Sequence, residues 1–159
     1  MKPELSGSLE RPLLEVQILD DRIHQWGLPQ YQTTGSAGMD LRACLAETLI
    51  LAPNDTCLVC SGIAIHIGDP FLMAMIVPRS GLGSRGLVLG NLTGIVDADY
   101  QGEIRIPLWN RSSEPITVQP GDRVAQLILA PIVRAQLRIV SEFVASGRGA
   151  GGFGSTGHA

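Results

Sequence analysis

Apolar and polar residues alternate along several short stretches of the chain, the pattern of strands with one buried face. The alternation is clear in residues 14–19 and 39–43. Further strand-like runs occupy residues 48–51, 57–60, 63–67, 71–77, 87–89, 94–96, 103–108, 116–118, 124–130 and 137–140. Turn-forming residues separate these runs, as at residues 52–55, 68–70, 110–113 and 119–122. Many short strands with such turns predict an all-β fold, either a sandwich, a barrel or a jelly roll.

No stretch keeps a helical period, and the sequence predicts at most one short helix, over residues 80–85 with Ser80 as its N-cap. Pro107 interrupts the run 103–108, which predicts an edge position or a bulge there.

The glycine-rich end of the chain, residues 147–159, cannot bury much surface and is expected to be mobile when alone. It is either a disordered tail or a lid over a ligand. The lid is suggested by one aromatic side chain, Phe153, among anion-binding groups from Arg148, Ser155 and Thr156. We therefore divide the chain into a β domain, residues 1–147, and a C-terminal arm, residues 148–159.

The charge balance argues against a nucleic-acid partner. The net charge is −3 among 159 residues, and Lys2 is the only lysine. Binding to a duplex relies on a basic face that neutralises phosphates, whereas a few arginines suffice for a small anion. Residues 1–13 do not have the pattern of a signal peptide, and no apolar run is long enough for a membrane span. The expected location is the cytoplasm.

Three cysteines and three histidines are the candidate metal ligands. Cys57 and Cys60 form a Cys-Leu-Val-Cys pattern, which could be half of a zinc site or a redox pair. We favour two core thiols, because residues three apart on a strand point to opposite faces and no second ligand pair follows. His24, His66 and His158 are scattered along the chain.

Two segments carry groups suited to a nucleotide. Pro78-Arg-Ser-Gly-Leu82 offers a guanidinium, a hydroxyl and main-chain N–H groups, which suit a phosphate chain, although a plain N-cap beside a surface arginine is the alternative. In residues 90–102, Asn91 can read a base edge and Asp97 can take a proton from water. The alternative there is a turn in which Asp97 and Asp99 bond to the backbone.

Order and spacing favour the nucleotide. The segments Ala37-Gly-Met-Asp-Leu-Arg-Ala43, Pro78 to Leu82, Gly90 to Gly102, Pro120 to Leu127 and Arg148 to Gly157 follow one another. Together they resemble the five motifs of the trimeric dUTP pyrophosphatases (dUTPases). The resemblance implies a jelly-roll-like β domain in a homotrimer whose active sites are shared between subunits and closed by the arm. It implies hydrolysis of dUTP to dUMP and pyrophosphate with Mg²⁺ on the triphosphate, which limits uracil in DNA and supplies dUMP for thymidylate synthesis.

The resemblance also implies a role for each matching residue. Asp97 activates the attacking water, Gln126 orients the water and the α-phosphate, and Asp40 contacts hydrated Mg²⁺ through water. Tyr100 packs under the deoxyribose and leaves no room for a 2′-hydroxyl. The other implied substrate-binding residues are Arg79, Ser80 and Gly81 for the phosphates, Asn91, Gly94, Ile95, Val96 and the main chain near Arg105 for uracil, and Arg148, Phe153, Gly154, Ser155 and Thr156 on the arm.

The chain departs from the family pattern at Gly83-Ser-Arg-Gly86, one residue shorter than the loop of bacterial members. Two alternatives remain: a dCTP deaminase on the same fold, and a β trimer that binds nucleotide without catalysis. The pattern from Asp97 to Tyr100 and the Phe153 arm favour the dUTPase over both.

Overall fold

The computed structural model describes residues 11–147 and 149–150, and its secondary structure is almost entirely antiparallel β. The elements in chain order are β1 (Glu15–Ile18), α1 (Ile23–Trp26), β2 (Met39–Arg42), β3 (Leu49–Leu51), β4 (Thr56–His66), β5 (Leu72–Pro78), α2 (Ser80–Gly83), β6 (Leu87–Leu89), β7 (Gly94–Val96), β8 (Glu103–Asn110), β9 (Ile116–Val118) and β10 (Arg123–Pro131). The predicted all-β, jelly-roll-like fold is confirmed.

The strands form three sheets around one core. One sheet has the order β1-β4-β8-β6, the second β2-β10-β5-β7, and β3 pairs with β9 alone. Every pairing is antiparallel. Alternate residues of β8, Ile104, Ile106 and Leu108, point inward and are at most 3% exposed. Small and branched apolar side chains from all three sheets fill the core, which accounts for a fold that needs few aromatic residues.

The predicted runs 57–60 and 63–67 form one strand, β4, of 11 residues. Gly62 lies between them with a φ of 75°, and the register with β8 shifts between Cys60 and Ala64. A residue with a side chain adopts this conformation rarely, so glycine allows the strand to continue through an irregularity.

Two further predictions were wrong. The structure has a second four-residue helix, α1, which is too short to produce a helical period. Residues 137–140 are not a strand: Leu137 is 92% and Ile139 is 100% exposed, and no described strand lies beside them. A strand pattern outside a sheet lacks the partner that would satisfy its backbone.

Pro107 occupies a position that the prediction described only in part. Its strand, β8, lies inside a sheet, but the neighbouring β6 ends at Leu89, opposite Leu108. Pro107 therefore lies on the part of β8 that has no ladder partner on the β6 side. The missing N–H costs no ladder hydrogen bond there.

Candidate active site

A cavity of about 240 Å³ opens between β7 and β8. We call it the base cavity. Its volume is smaller than that of typical drug-sized pockets, which suits a ligand as small as a nucleobase. It is lined by Ile76, Leu89, Asn91, Gly94, Ile95, Val96, Asp97, Tyr100, Glu103, Ile104, Arg105 and Pro107. The structure thus brings together seven residues that the sequence assigned to the base, the sugar and the catalytic water.

Two open strand edges face this cavity. β7 is the last strand of its sheet, and β8 extends past the end of β6. The Pro107 carbonyl accepts the N–H of Gly90 at 2.7 Å, so the main-chain groups of Pro107 point toward the β6 side. Because main-chain groups of alternate residues point to the same side of a strand, the N–H and C=O of Arg105 also point there. A planar base with donors and acceptors can bond to edges of this kind.

The hairpin before β7 places Asn91 beside Gly94. Its Nδ2 lies 3.4 Å from the position of a Cβ built on Gly94, and Leu92 between them has a φ of 62°. A branched side chain in the left-handed region is uncommon and strained. Asn91 is therefore held over the open edge of β7, with its amide at the cavity.

Asp97 follows β7 and is exposed. The turn that carries it is closed by the Tyr100 N–H, which donates to the Asp97 carbonyl at 3.1 Å. No group of the described residues donates to the Asp97 or Asp99 carboxylate, so the alternative of a side-chain-bonded turn is not what residues 11–147 form. The Asp97 carboxylate is open to water.

The hydroxyl end of the Tyr100 ring packs against Gly102. A Cβ on Gly102 would stand 2.7 Å from Cζ of the ring, closer than side-chain atoms pack. The hydroxyl donates to the Glu103 carbonyl at 3.0 Å. Both contacts orient the ring, whose other face remains open, as its 45% exposure indicates.

A second group, which we call the arginine cluster, consists of Asp40, Arg79, Arg123 and Gln126. The Asp40 side chain is 5% exposed, and its Oδ1 lies 2.8 Å from Nε of Arg79. Its Oδ2 accepts from Nη1 of Arg123 at 3.2 Å. Gln126 lies opposite Asp40 in the register of β10 with β2, and its Nε2 is 3.5 Å from Oδ1.

Arg79 is also the residue before α2, with extended backbone angles, φ −82° and ψ 131°. Ser80 is the first helical residue, so the prediction that Ser80 is the N-cap was wrong. The N-cap is Arg79, whose side chain makes no cap hydrogen bond. Ser80 and Gly81 are exposed, and the first N–H groups of a helix have no partner within it.

The base cavity and the arginine cluster are separate in the chain. Arg79 and Arg123 line a different cavity of about 440 Å³, together with Arg85 of the shortened loop. The lining of the base cavity includes no arginine of that group. The predicted arm residues Arg148, Phe153, Gly154, Ser155 and Thr156 lie outside the described residues.

Several residues of both regions were not predicted from the sequence. Ile76, Leu89, Ile104 and Pro107 line the base cavity but resemble ordinary strand residues. Arg123 was overlooked although it stands in the motif Pro120 to Leu127. The sequence signal that could have identified Arg123 is a cation three residues before the predicted site residue Gln126.

Metal-ligating side chains do not gather in the described part of the chain. Residues 11–147 contain no group of three His, Cys, Asp or Glu side chains that could hold an ion. Cys44, Cys57 and Cys60 are free thiols there, the first buried and the other two partly buried. Burial raises the pKa of Cys44 to about 11 and also raises that of Cys60.

Both helices of the described residues are too short to cross a membrane.

An antiparallel β fold with a base-sized cavity and a buried carboxylate between two guanidinium groups defines a protein that binds a nucleoside phosphate. A family model described as dUTPase matches residues 24–157. A deoxyuridine 5'-triphosphate nucleotidohydrolase of Idiomarina loihiensis is 58% identical over 146 residues, 91% of this chain and 97% of its own. One of Neisseria meningitidis serogroup A is 55% identical over 145 residues, 91% of this chain and 96% of its own. The chain belongs to the dUTPase family.

Solved structures agree in fold. A mutant dUTPase of Staphylococcus bacteriophage 80alpha, solved with dUpNHpp, has a TM-score of 0.79 at 27% identity and covers 93% of this chain and 100% of its own. A mutant dUTPase of the Staphylococcus aureus phage phi11 has a TM-score of 0.73 at 24% identity, with 84% of this chain and 99% of its own covered. That second structure is described as coordinating a structural Mg(II) ion.

Proposed function

We propose that the chain hydrolyses dUTP to dUMP and pyrophosphate by attack of a water molecule, activated by Asp97, on the α-phosphorus. The activity follows from membership of the dUTPase family, so the chain is a hydrolase of nucleotide metabolism, a dUTP diphosphatase. The role of each residue is our assignment. The exposed Asp97 carboxylate at the base cavity is the single observation that carries it.

In this proposal, uracil lies between the open edges of β7 and β8. The Asn91 amide and the main chain of Gly94, Ile95 and Val96 read one side of the base, and the main chain of Arg105 reads the other. Two opposing strand edges impose donors and acceptors at fixed separations, so a base is selected by the match of its edge. Tyr100, held against Gly102, packs under the sugar and excludes a 2′-hydroxyl.

The phosphates lie on the arginine cluster and on the start of α2. Arg79 supplies charge, the Ser80 hydroxyl and the main chain of Ser80 and Gly81 supply donors, and Gln126 orients the α-phosphate and the water. A carboxylate base and a polyanion repel each other, so neutralising the phosphates is a condition for attack. No protein nucleophile is needed for this step, because water is the attacking group.

Mg²⁺ is assigned to the triphosphate itself. The described residues offer no cage of carboxylates, which matches an ion bound mainly through phosphate oxygens and water. When bound, Mg²⁺ neutralises charge on the phosphates. Asp40 was predicted as its water-mediated partner; both of its oxygens lie within ion-pair distance of arginines, which leaves it at most an indirect contact with the ion.

The active unit in our proposal is a homotrimer. The base cavity and the arginine cluster line different cavities of one chain, so in this proposal the base and the phosphates of one dUTP contact two subunits. The described segment after β10 is consistent with this: Val133, Leu137, Phe143 and Val144 are each more than 90% exposed. Apolar residues of this number are expected to be covered by a partner.

The arm completes the site. We assign Phe153 to stacking over uracil, and Arg148, Gly154, Ser155 and Thr156 to the γ-phosphate. In this proposal a neighbouring subunit supplies the arm, because residues 133–147, which precede it, are exposed on their own chain. Closure would exclude bulk water from the reacting phosphate.

A nucleotide panel tests the proposal. The chain is incubated with dUTP, dTTP, dCTP and UTP, with Mg²⁺ and with EDTA, and pyrophosphate and ammonia are measured. We expect pyrophosphate from dUTP alone among the four at low concentration, with a large loss in EDTA. Ammonia from dCTP without pyrophosphate would instead identify a deaminase. Binding of dUTP without any product would identify a non-catalytic binder.

A further inference from the structure

The arginine cluster contains one more charge than the proposed phosphate contact requires. Arg79 and Arg123 both contact the buried Asp40 carboxylate, and Arg79 Nη1 also donates to the Arg123 carbonyl at 3.0 Å. Two cations and one anion leave a net formal charge of +1. The Asp40 side chain is 5% exposed, whereas those of Arg79 and Arg123 are 28% and 42% exposed.

A buried carboxylate limits how far a cation paired with it can move away. An ion taken from water into a protein interior is destabilised unless it remains paired. If Arg79 were the only cation at Asp40, moving its charge toward a phosphate would leave the carboxylate unpaired. The pair alone would also be neutral and would attract a phosphate weakly. The second guanidinium removes both restrictions, because it keeps Asp40 neutralised when Arg79 turns outward.

We propose that Arg123 is a positioning residue for phosphate binding: by neutralising the buried Asp40, it leaves the charge of Arg79 available to the triphosphate. Asp40 in this arrangement is the anchor that orients both arginines. The inference rests on the proposed function, since it concerns how that site holds dUTP. It adds a residue, Arg123, to which the sequence pattern assigned no role, and it gives Asp40 an electrostatic role beside its indirect contact with the ion.

Three variants that change the net charge of the arginine cluster test the proposal. Arg123→Gln leaves Arg79 paired with Asp40 and brings the cluster to neutrality. Asp40→Asn raises the net charge to +2. The double variant Asp40→Asn with Arg123→Gln returns it to +1, with Arg79 again uncompensated. Binding is measured by calorimetry with dUpNHpp and Mg²⁺, and KM and kcat are measured with dUTP.

We expect Arg123→Gln to weaken dUpNHpp binding and raise KM by about tenfold, the scale of one lost charge-assisted contact. The turnover number kcat should change by less than about threefold, because Asp97 is untouched. The double variant should recover binding to within about threefold of wild type, since the uncompensated anion is gone. Arg123→Lys, which keeps the charge, should bind like wild type.

The matched control is Arg22→Gln. Arg22 also forms an ion pair, with Asp20 at 2.6 Å, but neither residue lines the base cavity or the cavity of Arg79. This variant should bind dUpNHpp as wild type does. If Arg123→Gln does not fold, the pair of Asp40→Asn and the double variant carries the test. Because Arg123 acts through Asp40, these two variants should bind dUpNHpp equally well, and clearly weaker binding in the double variant would overturn the inference by showing that Arg123 contacts the phosphates directly.

Two further results would overturn the inference. A double variant that binds no better than Arg123→Gln would make the cluster purely structural. Loss of kcat in Asp40→Asn, together with a higher Mg²⁺ requirement, would return Asp40 to the metal. A wild-type chain that releases no pyrophosphate from dUTP would refute the proposed function itself, a separate outcome.

Discussion

The base cavity and the arginine cluster are built from different parts of the chain, and in our proposal they bind different parts of the substrate. The cavity lies at the edge of β7 and at the part of β8 beyond β6, where main-chain groups are left without a ladder partner. The cluster is built from side chains of β2, β10 and the residue before α2, joined by ion pairs. In our proposal, the first region reads the shape and hydrogen-bonding pattern of the base, and the second supplies charge for the phosphates.

The two regions differ in whether, in our proposal, they need a neighbouring subunit. Strand edges are positioned by the sheets of their own subunit, so the base cavity is already formed in a single chain. The arginines of the cluster are partly exposed, and under our proposal they bind the phosphates of a dUTP whose base lies in another subunit's cavity. A site divided in this way would link catalysis to assembly. The predictions below test that separation, from the largest expected effect to the smallest.

The largest effect is expected at Asp97. Asp97→Asn keeps the size of the side chain but removes the base, so kcat should fall by roughly a thousandfold, within the range for general bases. Binding of dUpNHpp should be retained, because the strand edges and the arginine cluster are unchanged. Calorimetry and a pyrophosphate assay on the same preparation measure both. Turnover close to wild type would remove Asp97 from its role.

Mixed trimers test the separation directly. Asp97→Asn and Arg79→Gln chains, each with its own tag, are co-expressed and trimers that carry both tags are purified. If each site takes Asp97 from one subunit and Arg79 from the next, about one site in three is intact in every such threefold ring. Activity should then recover to about that fraction. A site contained in one chain would stay inactive in every mixture.

A smaller effect is expected at Gly102. A Cβ there would stand 2.7 Å from Cζ of Tyr100, so Gly102→Ala should displace the ring that excludes the 2′-hydroxyl. The preference for dUTP over UTP, measured as the ratio of kcat/KM values, should fall by about tenfold. Gly35→Ala is the control, because nothing lies within 4 Å of a Cβ at Gly35. Equal preference in both variants would argue against this orientation of Tyr100.

The smallest effect concerns the thiols behind β8, outside both regions. Burial raises the pKa of Cys44 from 9.0 to about 11, so the folded state favours the neutral thiol. This contribution to stability is complete below pH 9 and is lost as the pH rises through 11. At pH 8, alkylation of Cys44 should be about a hundredfold slower than in the unfolded chain, since the thiolate is the reacting form. Mass spectrometry of the modified peptide measures the rate, and equal rates in both states would contradict the burial.

Most strands could be predicted because their alternation is local. The register, however, depended on backbone detail: β4 continues through Gly62 because glycine tolerates its φ of 75°. The run 137–140 has a strand pattern but remains exposed, since a pattern does not supply a partner. Helix α1 was missed because four residues are too few for a period.

The site could be predicted only in part. Residues 90–102 are close in sequence, and the structure places Asn91, Asp97 and Tyr100 at one cavity. Arg123 was missed because its partner Asp40 is 83 residues away, and nothing in the alternation of β10 distinguishes it. Long-range ion pairs depend on sheet order, which local patterns do not encode.

By itself, the sequence determined the all-β class, the order of the motifs and the family to which the chain belongs, because these depend on residue types and spacing. Only the tertiary structure decided which groups meet. Ending β6 at Leu89 opened the edge of β8 to a base, and pairing β2 with β10 placed two guanidinium groups on one buried carboxylate. Hydrophobic periodicity is a local property, whereas the balance of charge around Asp40 exists only after distant strands have packed together.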